Sequence, residues 1–361
     1  MESRHDTLSM NKILILGGTG AMGEHLVRLF CHTDCEVHVT TRRYMTSSGN
    51  ILYIKGDAHN SAFLMNLLRN NYDIIVDFMA YGTEEFQSKC FPLLDNCRQY
   101  VFLSSSRAYS DSDGLITEET PLLANVCLDG EYLATDEYAL AKGREENILR
   151  TSGKKNWTII RPYITYGEKR LQLGVFEKED WLYRAMQGRT IVFSKDIATK
   201  YTTLTYGQDV AKGIFQLLGN SEALGQAFHI TVSKTLKWQD ILQIYLDELQ
   251  PLLGYRPKVL MQDKAYNLRL PWKKWQVLYD RYFNRCFNNE KIGKFVDVEL
   301  FMQPDEGLRK CIRSFVHDPN FSNLDWRTQA KFDRLVGECA KWHEFQTMKE
   351  RIKYYIRRFV L

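Results

Sequence analysis

The segment ILILGGTGAMG, residues 13–23, constrains the fold of this chain more than any other feature. An apolar run typical of a buried strand leads directly into glycines, and apolar residues at helical spacing follow over 22–30. Gly17 permits a tight turn, Gly20 lets the backbone approach a pyrophosphate, and Gly23 allows close packing of helix on strand. Phosphate would then lie against amide groups at the positive end of the helix. The segment predicts a dinucleotide-binding β–α junction, whereas such a triplet taken alone is also found in ordinary surface turns.

Short apolar runs alternate with helical segments through the first half of the chain. Strands are predicted at residues 13–16, 36–41, 51–54, 73–80, 99–104 and 157–161, and helices at 22–30, 58–70, 83–96, 136–151 and 207–218. Strands that alternate with helices form a parallel sheet covered on both faces. We therefore predict an α/β fold with a Rossmann-type doubly wound parallel sheet. Its dinucleotide-binding domain spans residues 12–166, and the sheet also recruits part of residues 190–232.

The alternation loosens beyond Gly167. We expect residues 167–361 to form a smaller, mixed but mostly helical lobe that binds substrate, with a helical C-terminal extension. The run MKERIKYYIRRFVL at 348–361 is typical of a basic amphipathic helix, either packed on the body or bound to a membrane surface or a partner. Residues 1–11 are polar and charged, without the apolar stretch of a secretory signal, and are predicted to be a disordered lead-in.

Composition narrows the class of function. Lysine and arginine outnumber aspartate and glutamate by only 48 to 44, whereas nucleic-acid binding needs a concentrated basic face. The eight cysteines form no Cys-x-x-Cys pair and no zinc-site spacing, so we expect reduced thiols, a cytoplasmic protein and no metal centre. No stretch approaches the roughly 18–20 apolar residues that a membrane span needs.

The end of the second predicted strand bears on the choice of dinucleotide. A carboxylate there accepts hydrogen bonds from the ribose of NAD, but this chain has Thr41, Arg42 and Arg43, whose donors and charge suit the 2′-phosphate of NADP. NADP is the prediction and NAD the other candidate, and two surface arginines on a loop are the alternative interpretation. Asp57, after the third strand, is placed to meet the adenine edge, or else it caps the following helix.

A tyrosine and a lysine stand four residues apart in Tyr138-Ala-Leu-Ala-Lys142, on one face of a predicted helix. A phenol exchanges protons near neutrality only where a cation stabilises its phenolate, and an adjacent ammonium group does so. Chance pairs of this kind are common, but here a serine cluster, Ser104–Ser106, ends the preceding strand. Because hydroxyls at the carboxyl edge of a parallel strand face the ligand cleft, the combination predicts an acid–base site.

These motifs resemble those of the extended short-chain dehydrogenase/reductase family, in its nucleotide-sugar epimerase/dehydratase branch. The resemblance covers residues 12–230 and rests on the glycine turn, SSSRAY, TEETP, YALAK, RPYITYG and YGQDVA. In that family the catalytic hydroxyl lies four residues before the tyrosine of an SSxxxY-like motif, which points to Ser105. The resemblance implies that Ser105, Tyr138 and Lys142 are catalytic and that Lys142 also holds the nicotinamide ribose. Hydride would pass between the nicotinamide and a sugar carbon while Tyr138 exchanges the hydroxyl proton.

Together with the turn and the strand ends, the resemblance implies the binding residues. The cofactor residues are Gly17, Thr19, Gly20, Ala21, Met22, Gly23, Thr41, Arg42, Arg43, Asp57, Ala80, Tyr138 and Lys142. The substrate residues are Thr83, Ser106, Tyr163 and Lys200. Lys200 matches a basic family position that contacts a diphosphate, with an ordinary surface lysine as the alternative.

Departures from the family pattern narrow the reaction. Dehydratases follow the catalytic hydroxyl with an Asp-Glu pair, but this chain has Ser106 and Arg107, and an arginine cannot act as a general base at neutral pH. Elimination of water is therefore disfavoured. Ile164 replaces an asparagine that contacts substrate phosphate in many members. The fourth strand ends VDFMAYG, as in atypical members that include plant plastid relatives reported to bind RNA.

Two reactions remain for an enzyme acting on a nucleotide-linked sugar. A ketoreductase would exchange NADP(H) in each turnover, and an epimerase would keep its cofactor. A homodimer is common in the family. The alternative from another class is an RNA-binding or regulatory member that keeps the fold without turnover, but the near-balanced charge and the intact set of Ser105, Tyr138 and Lys142 weigh against it.

Overall fold

The computed structural model describes residues 10–268, 270–322 and 324–360. The chain divides into two compact units. The first contains the residues up to Thr165 with Thr203–Lys234 and Cys286–Met302, and the second contains Tyr166–Thr202, Thr235–Arg285 and the residues from Gln303 onward. Residues 1–9 of the predicted lead-in lie outside the described residues. Asn11, at its end, donates its N–H to the Asp73 carboxylate at 2.9 Å.

The strands lie in both units. They are β1 (Lys12–Leu16), β2 (Glu36–Thr41), β3 (Ile51–Lys55), β4 (Ile74–Asp77), β5 (Gln99–Leu103), β6 (Trp157–Pro162), β7 (Ile164–Tyr166), β8 (Gln172–Leu173), β9 (Phe176–Glu177), β10 (Ile191–Ser194), β11 (Tyr201–Thr202), β12 (Leu204–Tyr206), β13 (Gln226–Ile230), β14 (Leu236–Lys237) and β15 (Val259–Gln262).

The helices also lie in both units. They are α1 (Gly23–Phe30), α2 (Ser61–Leu68), α3 (Thr83–Asp95), α4 (Leu123–Val126), α5 (Gly130–Leu133), α6 (Tyr138–Thr151), α7 (Lys178–Met186), α8 (Lys195–Ala198), α9 (Gly207–Leu217), α10 (Trp238–Leu253), α11 (Lys274–Gln276), α12 (Pro304–His317), α13 (Trp326–Val336) and α14 (Met348–Tyr355).

A seven-stranded parallel sheet forms the centre of the first unit, in the order β13-β6-β5-β4-β1-β2-β3. The predicted Rossmann-type sheet is thereby confirmed, and its edge strand β13 is formed by residues 226–230. The strand order reverses between β1 and β4, and in such sheets ligands bind outside the carboxyl ends of the strands at this switch point. The glycine turn follows β1 directly, so it lies at this position.

Both faces of the central sheet are covered, which explains why its strands read as unbroken apolar runs. Ile13 and Ile15 of β1 belong to the core that contains residues of α1 and α9. Leu14 and Leu16 belong to the core that contains residues of α2 and α3. Because successive side chains of a strand point to opposite faces, β1 contributes to two separate cores.

Two helices begin later than predicted, and in each case a side chain caps the first turn. The Asn60 side chain accepts the Phe63 N–H at 3.0 Å, so α2 begins at 61 rather than 58. The Glu137 carboxylate accepts the Ala139 N–H at 2.8 Å, so α6 begins at Tyr138 rather than 136. Such caps satisfy N–H groups that have no partner inside the helix.

The second unit combines helices with short strand pairs. β10 and β15 pair in parallel, while β11 with β14 and β8 with β9 pair antiparallel. Arg184 of α7 and Arg189 each lie 2.7 Å from the carboxylate of Asp333 in α13, and all three side chains are buried. Because a buried carboxylate needs compensating charge, this cluster ties α13 to α7. The predicted mixed, mostly helical character of this region is confirmed.

Candidate active site

The glycine turn between β1 and α1 has the geometry of a phosphate cradle. Gly17 has φ +69°, which favours glycine, and its N–H donates to Thr40 Oγ1 at 2.9 Å. A Cβ on Gly23 would lie 2.7 Å from the backbone of Gly18, so only glycine lets the helix start approach the turn. Gly20 is exposed, and a Cβ there would meet no described atom within 4 Å. The turn is therefore close-packed at Gly23 and open to solvent at Gly20. Such a shape fits a pyrophosphate bound at the N-terminus of a helix.

The other residues predicted to bind the cofactor near the turn lie within it or after the neighbouring strand β4. Thr19, Ala21 and Met22 are half-buried within it, and Met22 immediately precedes α1. Ala80 is exposed three residues after the end of β4, the strand next to β1 in the sheet. These residues share the carboxyl edge of the sheet with the glycines.

The end of β2 forms a short turn that presents two arginines. The Thr41 hydroxyl exchanges hydrogen bonds with the backbone of Arg43, as acceptor of its N–H and donor to its carbonyl, both at 3.2 Å. Arg42 and Arg43 are exposed. The turn thus places two guanidinium groups in solvent after the second strand.

Asp57 does not cap the following helix, because Asn60 occupies that position. The Asp57 carboxylate accepts the His59 N–H at 3.0 Å in the turn after β3. The capping alternative is therefore wrong, and contact with an adenine edge stays a prediction.

Two serines of the cluster at the end of β5 form hydrogen bonds inside the first unit. The Ser104 hydroxyl donates to Glu146 at 2.6 Å, and the Ser106 hydroxyl donates to the Arg161 carbonyl at 2.8 Å. Both serines are buried. Because the proton of Ser106 is held inside the first unit, its predicted contact with substrate finds no support in this geometry.

The middle serine of the cluster is arranged differently. Ser105 Oγ accepts the Arg107 N–H at 3.2 Å and caps the short 3₁₀ turn Ser106–Ala108. A hydroxyl that accepts in this way retains its own proton for donation. Ser105 is buried too, but its oxygen accepts a hydrogen bond where those of Ser104 and Ser106 donate, so it is the serine suited to donate to a bound oxygen.

Tyr138 is the first residue of α6, and its side chain is 39% exposed. The Arg107 guanidinium lies over its ring at 5.3 Å from the centroid, and Arg107 also pairs with Glu137 at 2.6 Å. A cation over an aromatic face is attracted to the ring and restrains it. From the sequence, Arg107 served only to disfavour dehydration, and its contact with the ring of Tyr138 was not predicted. An arginine following the serine cluster was the available signal.

Lys142 lies one turn further along α6 and is buried. Its Nζ donates to Glu145 Oε2 at 2.9 Å, lies 3.5 Å from the Met79 carbonyl after β4, and sits 4.5 Å from the centroid of Phe102 in β5. The predicted lysine is thus held by the ends of two neighbouring strands.

Glu145 was not predicted, although its spacing of three residues from Lys142 on a helix places the two side chains on one face. Burial raises the pKa of Glu145 to about 7, and the nearby Lys142 ammonium offsets only part of that effect. A proton on this carboxyl therefore decides, near neutral pH, whether Lys142 has a charged partner.

A second unpredicted carboxyl, Asp77, ends β4 and is fully buried. It accepts the Met79 N–H at 2.9 Å and the hydroxyls of Tyr100 and Tyr81 at 2.8 and 3.1 Å. Burial raises the pKa of Asp77, and these hydrogen bonds oppose the rise. The D of VDFMAYG, noted only as a departure from the family pattern, was the signal for this buried group.

Thr83 begins α3 and is hydrogen-bonded to a side chain of the same unit. Its N–H and its hydroxyl donate to the two oxygens of Asp136, at 2.9 and 2.6 Å. The pKa of Asp136 is lowered: burial acts to raise it, but these hydrogen bonds and Arg144 outweigh that effect. Thr83 therefore links the start of α3 to the residues just before α6, and its contact with substrate stays a prediction.

The remaining predicted substrate residues lie in different units. Tyr163 is buried in the first unit, with its ring 5.5 Å from that of Phe287. Lys200 belongs to the second unit, where its carbonyl accepts the Trp238 N–H at 3.2 Å. The structure thus groups Ser105, Tyr138 and Lys142 in the first unit and places Lys200 in the second.

The second unit contains a cavity of about 290 Å³ with a mainly apolar lining. Its lining includes the aromatic residues Phe176, Tyr266 and Tyr282 and the basic residues Lys273 and Lys274, and the Lys273 Nζ donates to the Val175 carbonyl at 2.9 Å. Burial raises the pKa of Tyr282 to about 12, and its hydroxyl donates to Asp196 at 2.8 Å.

Within the described residues, no cluster of three or more histidine, cysteine, aspartate or glutamate side chains could hold a metal ion. No helix in the described part of the chain has the length and apolar character needed to cross a bilayer.

Comparison with known proteins matches residues 13–232 to the family model described as "NAD dependent epimerase/dehydratase family". Among solved structures, UDP-glucuronic acid 4-epimerase from Bacillus cereus, in complex with UDP-glucuronic acid and NAD, aligns with a TM-score of 0.62 at 14% identity, over 84% of this chain and 99% of that chain. The Bordetella bronchiseptica enzyme WbmH, in complex with NAD⁺, aligns with a TM-score of 0.64 at 13% identity, over 86% and 100%. At these identities the alignments establish the fold.

A curated relative is also similar in sequence. Chloroplast stem-loop binding protein of 41 kDa b from Arabidopsis thaliana is 26% identical over 244 residues, which cover 63% of this chain and 60% of that protein. The match thus spans less than two thirds of the length of the relative.

Proposed function

Because the chain belongs to the NAD dependent epimerase/dehydratase family of short-chain dehydrogenase/reductase enzymes, we propose that it carries out NAD(P)-dependent redox chemistry on a nucleotide-linked sugar. The observation that carries this proposal is the start of α6. There the phenol of Tyr138 is accessible, and Lys142, one turn later, is fixed in the interior by Glu145 and the ends of β4 and β5.

Tyr138, Lys142 and Ser105 have distinct roles in the proposed reaction. Tyr138 takes or supplies the proton of the substrate hydroxyl, and the Lys142 ammonium stabilises the phenolate that results. The Ser105 hydroxyl, whose oxygen is already engaged by the Arg107 N–H, donates to the substrate oxygen. Arg107, over the ring of Tyr138, restrains the phenol and adds positive charge beside it.

The glycine turn would hold the pyrophosphate of the dinucleotide, with Gly20 facing it and Lys142 directed to the ribose. A nicotinamide bound there would supply hydride transfer to or from the sugar carbon. Exposed Arg42 and Arg43 favour NADP over NAD, since they offer charge to a 2′-phosphate. The solved relatives named above contain NAD, so NAD is the competing choice.

Arg107 in place of an acidic pair disfavours dehydration, which leaves ketoreduction and epimerisation. These two reactions differ in cofactor retention: an epimerase purifies with tightly held dinucleotide, and a ketoreductase needs added NADPH. Absorbance and cofactor content of the purified protein separate them.

The decisive experiment replaces Tyr138 by phenylalanine and screens UDP-, GDP-, CDP- and dTDP-linked sugars. Turnover should be lost while dinucleotide binding, measured by calorimetry, is retained, because only the exchangeable proton is removed. Tyr255→Phe is the matched control, since that ring is 40% exposed compared with 39% for Tyr138. Full activity of the Tyr138 variant on a substrate turned over by the wild type would refute the mechanism.

A second candidate function is RNA binding without turnover. It is favoured by the similarity to the chloroplast stem-loop binding protein, whose name describes stem-loop binding. Phosphate contacts make such binding steeply salt-dependent. A titration of stem-loop RNA at low ionic strength tests this candidate, and the absence of binding there removes it.

We also propose a cytoplasmic location and a homodimer. None of the eight cysteines, all of which lie in the described residues, forms a disulfide, as expected in a reducing compartment. Fractionation of cells and sedimentation of the purified protein test the two statements separately.

A further inference from the structure

Helix α14 carries an exposed apolar stripe that the proposed enzyme function does not use. A helical turn over Ile356–Val360 continues the helix, and large apolar side chains recur along it with spacings of about one turn. The members of the stripe and their exposed fractions are Met348 (61%), Ile352 (54%), Ile356 (44%), Phe359 (59%) and Val360 (73%). Single exposed apolar residues are ordinary, but a continuous row on one helix marks an interaction surface.

The opposite face of this helix is firmly attached to the second unit. Tyr354 is fully buried, accepts the Ala340 N–H at 2.8 Å and donates to Asp333 at 2.5 Å. Arg358 Nε donates to the Glu338 carbonyl at 2.9 Å. Rotation of the helix to bury the stripe would break these contacts. The stripe therefore faces outward, because the other side of the helix is hydrogen-bonded to the rest of the second unit.

A basic edge runs beside the stripe. Lys349, Lys353 and Arg357 are exposed, and none of them forms an ion pair within the described part of the chain. Glu350, the acidic residue in this segment, is occupied as a cap, since its carboxylate accepts the N–H groups of Gln346 and Thr347. The exposed charge beside the stripe is thus positive.

A tryptophan extends the apolar surface at the start of the helix. Trp342 is 67% exposed, and its ring packs over the guanidinium of Arg351, which also contacts the Met348 sulfur. Tryptophan is enriched where protein meets the headgroup region of a bilayer.

We propose that this face of the second unit binds the surface of an anionic lipid bilayer. A helix with an apolar row flanked by lysine and arginine lies in the interface plane, with the row among acyl chains and the cations at acidic headgroups. The cytoplasmic leaflet carries such headgroups. The protein would thus be held at a membrane surface by this face of the second unit.

Two other occupants fit less well. A second copy paired through the same stripe would bring Lys349, Lys353 and Arg357 close to their own counterparts, and like charges repel. RNA would engage the cations, but the aliphatic side chains of Ile352 and Ile356 would gain nothing from a phosphate backbone. Only a surface that is both anionic and apolar complements the whole face.

Vesicle flotation with the full chain tests this proposal. The wild type should bind vesicles of phosphatidylcholine mixed with phosphatidylserine, should fail to bind phosphatidylcholine alone, and should release as salt rises. Ile352→Ser with Ile356→Ser should reduce binding at least tenfold. Neutralising the basic edge, Lys349→Gln with Lys353→Gln and Arg357→Gln, should weaken binding by about fivefold for each charge removed.

Leu128→Ser is the matched control, because Leu128 is an isolated apolar side chain of the first unit that is 96% exposed. It should leave vesicle binding unchanged. All variants alter exposed residues, so equal melting temperatures establish that folding is intact. The proposal is overturned if the wild type ignores acidic vesicles, or if the stripe variant binds them as well as the wild type does. A lipid-free dimer abolished by the stripe variant, or RNA binding abolished by the basic-edge variant without any vesicle binding, would also overturn it.

Discussion

The ammonium group of Lys142 lies 2.9 Å from Oε2 of Glu145, and both side chains are buried. The pair is local, because three residues on a helix bring the side chains together, but its burial comes from the ends of β4 and β5. The other oxygen, Glu145 Oε1, has no hydrogen-bond partner in the described residues. An unsatisfied buried oxygen opposes ionisation. The charge next to the proposed catalytic lysine therefore depends on pH.

Replacing Glu145 by glutamine should flatten part of the pH dependence of stability. In the unfolded chain this carboxyl has its ordinary pKa of 4.5, and in the folded chain burial raises the pKa to about 7. Below the first value both states are protonated. As pH rises towards the second, the unfolded chain loses its proton more readily, so the folded state is progressively disfavoured, by about 3 kcal/mol at most. Between about pH 5 and 8, the free energy of unfolding of Glu145→Gln should rise relative to wild type by about 1–3 kcal/mol.

Denaturant unfolding at several pH values measures this difference, and Glu146→Gln provides a control of opposite sign. Burial acts to raise the pKa of Glu146, but the ion pair with Arg161 outweighs it and the pKa is lowered. That carboxylate stabilises the fold at pH values above its ordinary pKa, and this stabilisation is lost as the pH falls through the lowered pKa of the folded state. The charge of Asp77 contributes to the raised pKa of Glu145, so the measured difference includes the coupling between these two carboxyl groups. If the free energy of unfolding of Glu145→Gln changed with pH in parallel with that of the wild type, the prediction would be contradicted.

Two glycines of the turn should respond differently to alanine. In Gly23→Ala the new Cβ would lie 2.7 Å from the Gly18 backbone, so the helix must shift and stability should fall by about 1–3 kcal/mol. In Gly20→Ala the Cβ enters open space, so thermal unfolding should be little changed while dinucleotide affinity falls about tenfold or more. Differential scanning calorimetry and dinucleotide titration distinguish the two effects. Equal destabilisation by both substitutions is the contrary result.

The arginines after β2 should determine cofactor choice. Removal of both side chains, Arg42→Ala with Arg43→Ala, should weaken NADPH binding about tenfold or more and leave NADH binding nearly unchanged, because only NADPH carries the 2′-phosphate. Fluorescence titration of both dinucleotides measures this. Arg69→Ala, an exposed arginine of the same unit outside the turn, should have no effect. Tighter binding of NADH than NADPH by the wild type would refute the preference.

The sequence alone was sufficient to predict the features that depend on the pattern of neighbouring residues. Apolar runs of strand length, glycines at the first β–α junction and the alternation of elements predicted the parallel sheet, since each is a property of neighbouring residues. The spacing of Tyr138 and Lys142 likewise placed them on one helix face. Periodicity did not indicate that residues 286–302 return to the first unit, where the Ile116 N–H donates to the Cys286 carbonyl at 2.8 Å.

Only the tertiary structure distinguished residues that the sequence presents as equivalent. Ser104 and Ser106 are bonded internally while Ser105 keeps a proton to donate, because their partners come from α6, β6 and the following turn. Glu145 and Glu146 are adjacent, yet the pKa of one is raised and that of the other lowered. Burial and charged partners set these properties, and both are supplied by segments far apart in the chain.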